Sequence, residues 1–264
     1  MFNSIKASVL IFGFVLPFSL SAFGASDKKE FIVGVQNFVG YLPESDYSNE
    51  QYRGFARELL DMFAKEKGYT FVYKAFPLKR LYDSFVRGSI DLKYPDNAYW
   101  STDVKQGKKV VYSEPVVEYI DGVMVHPSNK GKGIENLKML GMVAGYTPFI
   151  YMKLVNEKKI TLLENQDFLG LLKQVIIKRV DGGYSNIAVS SYYLRNDIGD
   201  PNALAFDPSL PYTKSTRHLS SILYPNVIEE FNSFLKQKRK EVGELKARHR
   251  VEDIVKDYPA YKPN

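Results

Sequence analysis

Four side chains suited to holding a small polar molecule lie within five consecutive positions: Asp96, Asn97, Tyr99 and Trp100. The carboxylate and the amide can hydrogen-bond a ligand, and the two rings can stack on a flat group or a cation. The alternatives are a turn-forming Asp-Asn pair and two rings that pack beneath a loop. Trp100 is the only tryptophan in the chain. The spacing therefore predicts a candidate binding loop.

The segment before this loop has the pattern of a buried strand. Ile90 and Leu92 follow a helix-like segment that closes at Gly88, and Pro95 begins a turn. The loop therefore leaves the carboxyl end of a strand, which is the edge where open α/β sheets bind ligands.

The rest of the chain alternates in the same way, which predicts an α/β fold. The first set is strand 31–35, helix 54–67, strand 69–73, helix 77–87 and the strand from 90. A long extended run at 116–126 leads to a second set: strand 139–144, helix 149–157, strand 160–163, helix 168–178, strand 180–189 and helix 190–195. Thr147 and Pro148 are expected to start the helix at 149–157 as N-cap and first residue. Strands alternating with helices predict mainly parallel sheets with right-handed crossovers.

This order predicts two lobes, each with a mainly parallel central sheet flanked by helices. Lobe 1 is expected at 25–120 and 206–264, and lobe 2 at 121–205. Residues 203–207 are expected to return the chain to lobe 1, and 227–251 to form a long terminal helix packed on it.

The first 24 residues predict a secretory signal peptide. Lys6 precedes an apolar stretch at 7–20, and Ala22-Phe23-Gly24 is a small-x-small cleavage site. The alternative is a membrane anchor, but the stretch is shorter than the roughly 20 residues that span a bilayer. No later stretch is long enough to cross a membrane. The chain is therefore expected to be exported.

Composition excludes several kinds of chemistry. The chain of 264 residues has no cysteine, which excludes disulfides, thiol nucleophiles and Cys-ligated metals. Its three histidines form no metal or catalytic motif, so no catalytic residue, metal or cofactor is predicted. The formal net charge is +6, and the basic run at 236–240 fits a solvated helix face better than a nucleic-acid patch.

Several segments, taken together and in order, resemble the bacterial extracellular solute-binding protein family 3, whose members have the two-lobed class II periplasmic binding fold. The matching segments are GFARELLDMFAKEKG at 54–68, GSID at 88–91, YSEP at 112–115, VAGYTP at 143–148 and RVDGGYSNIAVSSYYL at 179–194. The resemblance implies a ligand cleft between the two lobes. It also implies a periplasmic protein that binds a small molecule in this cleft and works with an inner-membrane permease, such as an ABC transporter, or with a sensor.

Two departures from the family pattern bear on the ligand. Members that bind α-amino acids carry a Thr-x-x-Arg motif before the aromatic-Ser-x-Pro, but residues 101–106 (STDVKQ) contain no arginine. Where those family members have an aspartate that binds the ligand ammonium, this chain has Asn186, which carries no charge. Both departures argue against an ordinary α-amino acid.

Further candidates come from segments expected at the cleft. Arg80 at a helix start is a substitute anion clamp, with a surface arginine as its alternative. Thr147 is a candidate at a helix N-terminus, although helix capping alone would explain it. The predicted ligand-binding residues are Tyr41, Arg80, Asp96, Asn97, Tyr99, Trp100, Thr147, Tyr184 and Asn186.

The sequence thus favours a solute-binding protein whose lobes close by hinge bending at 116–126 and 203–208. One alternative is a periplasmic sensory or accessory protein that acts mainly through a protein partner. A lesser one is a dehydratase-like enzyme on the same fold, using Glu114, Asp96 or Glu118 in the cleft. Asp91 and Asp181 are expected to be structural, since each opens a strand-end turn.

Overall fold

The structure is a computed structural model, and it describes residues 29–144 and 146–260. The expected signal peptide at 1–24 lies outside the described residues. Among the described residues, no helix has the length and apolar character needed to span a membrane.

Strands and helices alternate along most of the described chain. The strands are β1 (Glu30–Gln36), β2 (Asp46–Ser48), β3 (Gln51–Arg53), β4 (Thr70–Phe76), β5 (Leu92–Asp96), β6 (Val111–Tyr112), β7 (Val117–Val125), β8 (Met139–Val143), β9 (Thr161–Asn165), β10 (Gly182–Asn186), β11 (Ala205–Phe206) and β12 (Thr213–Ser221). The α-helices are α1 (Phe55–Lys67), α2 (Leu78–Val86), α3 (Thr102–Lys105), α4 (Met152–Asn156), α5 (Phe168–Ile176), α6 (Ile187–Tyr193), α7 (Pro225–Gln237) and α8 (Arg239–His249).

Ten strands form one sheet with the order β4-β1-β5-β12-β7-β10-β8-β9, to which β6 and β11 add at its sides. Both ends are parallel: β1 pairs with β4 and β5, and β8 pairs with β9 and β10. The middle is antiparallel, because β12 pairs with β5 and β7, and β7 with β10. The fold is therefore α/β, with two parallel ends joined by antiparallel strands.

We call the end built on β4, β1 and β5 the first half, and the end built on β10, β8 and β9 the second half. Each half has its own core. The first packs Phe31 of β1 and Leu59 of α1 against Phe231 of α7. The second contains clusters around Leu172 of α5 and Leu140 of β8. Separate cores of this kind are expected of units that fold around their own sheets.

The helices of the first half follow local sequence signals. The buried positions of α1 include Phe55, Leu59, Leu60 and Phe63, which recur at helical spacing along one face. Gly68 closes α1 with φ +67°, the left-handed conformation that glycine adopts without a Cβ penalty. This burial fixes α1 against β4 and so positions the loops that lead into the cleft.

Two expected elements start or end differently. The segment at 149–157 begins as a 3-10 turn (Phe149–Tyr151), and the Thr147 side chain caps nothing, because Pro148 takes the N-cap position with ψ 68°. The strand expected at 180–189 ends at Asn186, whose side chain accepts hydrogen bonds from the N–H groups of Ala188 and Val189 and starts α6.

Two other boundaries also differ. The expected terminal helix at 227–251 is divided at Lys238, where ψ of 26° interrupts the helix between α7 and α8. Strand β5 continues through Pro95 to Asp96, two residues into the expected turn. Residues 205–206 form β11, which pairs with β7 beside Val125. The first half is joined to the second by β12, which pairs with β5 and β7, and by β7, which pairs with β10.

Candidate ligand-binding cleft

A cavity of about 380 Å³ lies between the two halves, at the strand ends where the cleft was expected. Its volume falls at the lower end of the range for small-molecule pockets, roughly 300–1,000 Å³. Half of its lining residues are aromatic, and two are charged. The lining residues are Gln36, Phe38, Tyr41, Ser45, Leu78, Tyr82, Pro95, Tyr99, Trp100, Ser101, Tyr119, Asp121, Tyr146, Thr147, Phe149, Tyr184, Thr213 and Arg217.

A larger depression, of about 780 Å³, runs along α7 and α8 and is lined in part by Lys236, Arg239, Lys246 and Lys256. Long lysine and arginine side chains on a surface lose much rotamer freedom when they are ordered around a small molecule. The cleft between the halves instead combines buried aromatic rings with convergent polar groups, which is the usual composition of a ligand site. It is therefore the candidate site.

The first charged group of the cleft is Arg217 on β12. Its Nη1 lies 3.1 Å from Oε2 of Glu44, and its Nη2 donates to the Tyr41 hydroxyl at 2.7 Å. The guanidinium carbon is 4.7 Å from the centre of the Tyr119 ring, within cation–π range. Only 4% of the Arg217 side chain is exposed. Its positive charge is therefore held by a buried carboxylate and two aromatic residues of the protein.

The second charged group is Asp121, directly opposite Thr213 in the β7–β12 pairing. Its Oδ1 accepts a hydrogen bond from Nδ2 of Asn186 at 3.1 Å, and Tyr146 also hydrogen-bonds its carboxylate. Burial raises the pKa of the Asp121 carboxyl, against the opposing attraction of Arg217 and these two hydrogen bonds. Asp121 thus has neutral hydrogen-bond donors but makes no salt bridge with a described cationic side chain.

Aromatic residues surround Asp121. The ring centres of Tyr146 and Tyr184 are 5.9 Å apart, and the hydroxyls of Tyr41 and Tyr146 are 3.5 Å apart. Burial and the nearby Asp121 charge raise the pKa of Tyr146 well above its usual value, and burial raises that of Tyr119 to about 12. These hydroxyls stay neutral at physiological pH, so they add no negative charge to the site.

Five of the predicted site residues line this cavity: Tyr41, Tyr99, Trp100, Thr147 and Tyr184. Tyr99 is 85% exposed at the mouth, whereas Tyr41 and Tyr184 are buried. The structure thus brings together side chains from the loop after β1, the loop after β5, the loop after β8, and β10.

Asp96 lies outside the lining, in a fully buried cluster beneath the loop. Its Oδ1 is 3.1 Å from Nζ of Lys93 and 3.7 Å from Nζ of Lys105, and its Oδ2 accepts from Ser220 Oγ at 2.7 Å. Burial lowers the pKa of Lys93, and the Asp96 charge opposes that shift. The cluster ties β5 to β12, so the structure gives Asp96 internal partners on every side.

Asn97 and Asn186 also contact the protein. Asn97 Nδ2 donates to the carbonyl of Thr216 at 2.8 Å, and its Oδ1 accepts from the Tyr99 N–H, which orients the loop. Asn186 caps α6 and donates to Asp121, so it borders the site through that carboxylate.

Arg80 is exposed on α2 and is not among the residues that line the cavity, whereas Leu78 of the same helix is. The two aspartates expected to be structural do accept main-chain hydrogen bonds: Asp91 from Ile32, and Asp181 from Lys138 and Met139.

Sequence reasoning missed both charged groups of the cleft. Arg217 lies in β12, a polar segment for which no strand was predicted. Asp121 was inside the extended run at 116–126, and an acidic residue in an otherwise apolar strand was a usable signal, because a buried charge requires a partner or a function.

Comparison with solved structures identifies the fold. An ancestral arginine-binding protein with bound arginine matches 84% of this chain and 98% of its own at 19% identity, with a TM-score of 0.63. An ABC uptake transporter substrate-binding protein from Streptococcus pneumoniae with bound histidine matches 89% of this chain and 95% of its own at 20% identity and TM-score 0.64. A histidine kinase sensor domain with similarity to periplasmic binding proteins aligns with 84% of this chain and 96% of its own, at 14% identity and with a TM-score of 0.64.

These similarities show that the chain has the periplasmic binding protein-like fold. No protein-family model matches the sequence, and no curated protein matches it significantly. Within residues 29–144 and 146–260, no group of three or more His, Asp or Glu side chains is placed to hold a metal ion.

Proposed function

We propose that the protein is an exported, periplasmic solute-binding protein that captures a small polar ligand in the cleft and presents it to a membrane transporter or sensor. The observation that carries the proposal is the cavity of about 380 Å³ between two separately cored halves, with a carboxylate and a guanidinium among aromatic rings. The fold supports it, because the similar structures described above are binding proteins and a sensor domain.

The ligand in this proposal is not an ordinary α-amino acid, although two of the similar proteins hold arginine and histidine. In the resembled family, an arginine that clamps the ligand carboxylate lies in the stretch that corresponds to residues 101–106 here. The cationic residue of this stretch is Lys105. The Lys105 ammonium points inward, donating to the Asn97 carbonyl at 2.7 Å and the Tyr112 hydroxyl at 2.8 Å. No cation from this stretch is left for a ligand carboxylate.

Ligand capture is proposed to close the cleft by bending at β7 and β12, the strands that pair across the middle of the sheet. The predicted lobes at 25–120 with 206–264 and at 121–205 would then move as units. A partner permease or sensor would recognise the closed form, since binding energy spent on closure stabilises that form.

The test is a thermal-shift screen of residues 25–264 against amines, amino acids, sugars, organic acids and short peptides. A ligand at about 100 times its Kd adds roughly 2.7 kcal/mol of stability, which raises the melting temperature visibly. Trp100→Ala is expected to weaken binding of any hit because its ring borders the cavity, while Ile177→Ala, at an exposed apolar position outside the cavity, should not. Equal affinities in both variants would contradict the site.

A sensory or accessory role, acting mainly through a protein partner, is the second candidate. The similarity to a histidine kinase sensor domain favours it. Small-angle scattering separates the two candidates: compaction on adding a ligand supports solute capture. A folded protein that responds to no compound in the screen supports the accessory role.

A further inference from the structure

The charges in the cleft do not balance. Arg217 contributes one positive charge, but Glu44 lies 3.1 Å from it and is equally buried, so this pair is neutral. Asp121 contributes a negative charge and makes no salt bridge with a described cationic side chain. A carboxylate in an aromatic cavity is held in an unfavourable environment until a cation approaches it. With Asp121 ionised, Arg217, Glu44 and Asp121 together carry one excess negative charge.

The rings near Asp121 are suited to a positive group. Arg217 already occupies positions over Tyr41 and Tyr119, at 5.3 and 4.7 Å, and Lys93 lies 4.2 Å from the Tyr82 ring centre from the buried side. Tyr146 and Tyr184 have no such cation within the described residues. A cation beside Asp121 would meet their negative ring faces, which attract ammonium and quaternary nitrogen groups.

The residues that line the cavity offer no comparable charged partner to an anion. Nη1 of Arg217 lies 3.1 Å from Glu44 and Nη2 donates to Tyr41, while Nε, which has no hydrogen-bond partner among the described residues, is buried away from solvent. Lys93 and Lys105 face Asp96, and Arg80 lies outside the lining. A ligand carboxylate would therefore be buried without a charged partner, which is costly.

We propose that the ligand is a small organic cation, an amine or quaternary ammonium without an α-carboxylate, whose charged nitrogen sits beside Asp121 against the rings of Tyr146 and Tyr184. This inference rests on the proposed function and specifies its ligand class.

Matched probes that differ only in charge test the inference. Isothermal titration compares the cation 2-phenylethylamine with zwitterionic phenylalanine, anionic 3-phenylpropanoate and neutral 2-phenylethanol. A second set compares the cation choline with zwitterionic glycine betaine and neutral 3,3-dimethylbutan-1-ol. The hits of the thermal-shift screen are titrated alongside. The expected result is binding by cations and at least a tenfold loss for their neutral, zwitterionic and anionic counterparts. Hits confined to anions or neutral compounds overturn the inference and leave the proposed function standing. Hits confined to α-amino acids overturn the inference and also the exclusion of amino acids, and leave only solute capture standing. No hit in any class overturns both.

Asp121→Asn keeps the side-chain shape and removes the charge. Truncating one partner of a buried charge pair weakens binding by about 30-fold or more, and this loss is expected for the best cationic probe. Asp197→Asn makes the same change at an exposed position outside the lining and should leave affinity unchanged. A thermal melt of each variant confirms folding. Undiminished affinity in folded Asp121→Asn would overturn the inference.

Discussion

The buried ion pair between Arg217 and Glu44 dominates the electrostatics of the cleft at the scale of single residues. Both side chains are 4% exposed, and Tyr94 also donates to Glu44 Oε1 at 3.0 Å. Removing one partner of such a pair leaves an uncompensated buried charge, which destabilises a protein by about 3–5 kcal/mol. Glu44→Gln is therefore expected to lower the free energy of unfolding by about 3 kcal/mol, measured by urea denaturation.

The control for this prediction is Glu58→Gln, which breaks the ion pair of Glu58 with Arg248. Both of those side chains are largely exposed, and exposed pairs contribute about 1 kcal/mol or less. If the two variants lost equal stability, the Glu44–Arg217 pair would not have the structural role assigned to it.

Asp121 is expected to reduce the stability of the ligand-free protein. Its folded-state pKa is raised by burial, so between its ordinary pKa and the raised value the folded state binds more protons than the unfolded state. Stability therefore falls as pH rises through this window. The charged and titratable groups near the carboxylate include Arg217, Tyr41, Tyr119, Tyr146 and Tyr184, and none of them titrates there.

Asp121→Asn should consequently raise the free energy of unfolding at neutral pH by about 1 kcal/mol, as changes that relieve a functional site commonly do. The gain should shrink as the pH is lowered below the raised pKa, because wild-type Asp121 is then neutral too. Thermal melts from pH 3 to pH 8 would measure this. A variant less stable than wild type at neutral pH would contradict the unfavourable environment assigned to Asp121.

Residue types predicted the aromatic part of the site better than its charged part. Tyr99 and Trp100 follow a recognisable strand end, and both line the cavity. Asp96 carries the charge in the same loop, yet its carboxylate faces Lys93 and Lys105. Which way a side chain points after a strand depends on the pairing partner, here β12, and the local sequence does not contain that partner.

At the scale of elements, β12 shows what periodicity does not detect. Its sequence, TKSTRHLSS, has no alternation of apolar and polar residues, yet Arg217, Leu219, Ser220 and Ser221 are buried. It is a strand because β5 and β7 pair with it on both sides, not because of intrinsic propensity. By contrast, α1 and β1 have strong local patterns, and both were predicted close to their observed bounds.

The start of α1 positions the segment that carries Glu44 and Ser45. Gly54 has φ +98°, and a Cβ there would lie 2.9 Å from the Glu44 carbonyl oxygen and 3.0 Å from the Ser45 Cα. Gly54→Ala is therefore expected to strain the backbone and displace both residues, lowering the free energy of unfolding by about 3 kcal/mol and weakening ligand binding.

The matched control is Gly68→Ala at the other end of α1. Gly68 also has a positive φ, +67°, but a Cβ there would have no neighbour within 4 Å. Gly68→Ala should lower the free energy of unfolding by about 1 kcal/mol, because of the backbone conformation alone, and should leave ligand affinity unchanged. If Gly54→Ala and Gly68→Ala lost the same stability and kept the same affinity, the close approach of Gly54 to the Glu44 segment would not matter for stability or binding.

For the whole molecule, the alternation of strands and helices predicted the α/β class but not the way in which the halves join. The parallel ends follow from local patterns, since each crossover helix lies between the strands it connects. The joining strands depend on contacts between residues about 57 apart or more in the chain, such as Gly182 opposite Val125 and Thr213 opposite Asp121. The predicted lobe boundaries therefore stay a prediction.

The halves also touch beside the cleft. The hydroxyl of Tyr193 on α6 donates to the Gly40 carbonyl at 2.9 Å, and Tyr41 packs on Phe168, with ring centres 5.6 Å apart. These contacts link the loop after β1 to the second half. If ligand capture depends on the halves being held together, a bond of this kind stabilises the binding-competent arrangement.

Tyr193→Phe removes only the hydroxyl that joins the halves. A typical hydrogen bond contributes about 1 kcal/mol, so affinity for the best cationic probe should fall about fivefold and the ligand-free radius of gyration should rise. Tyr151→Phe removes a similar hydroxyl bond, to the Pro211 carbonyl at 2.6 Å, among residues packed with the second half. It should reduce stability but not affinity. Calorimetry and scattering on both variants would decide the matter: equal affinity in Tyr193→Phe and wild type would mean that the Tyr193–Gly40 bond has no part in holding the cleft ready for its ligand.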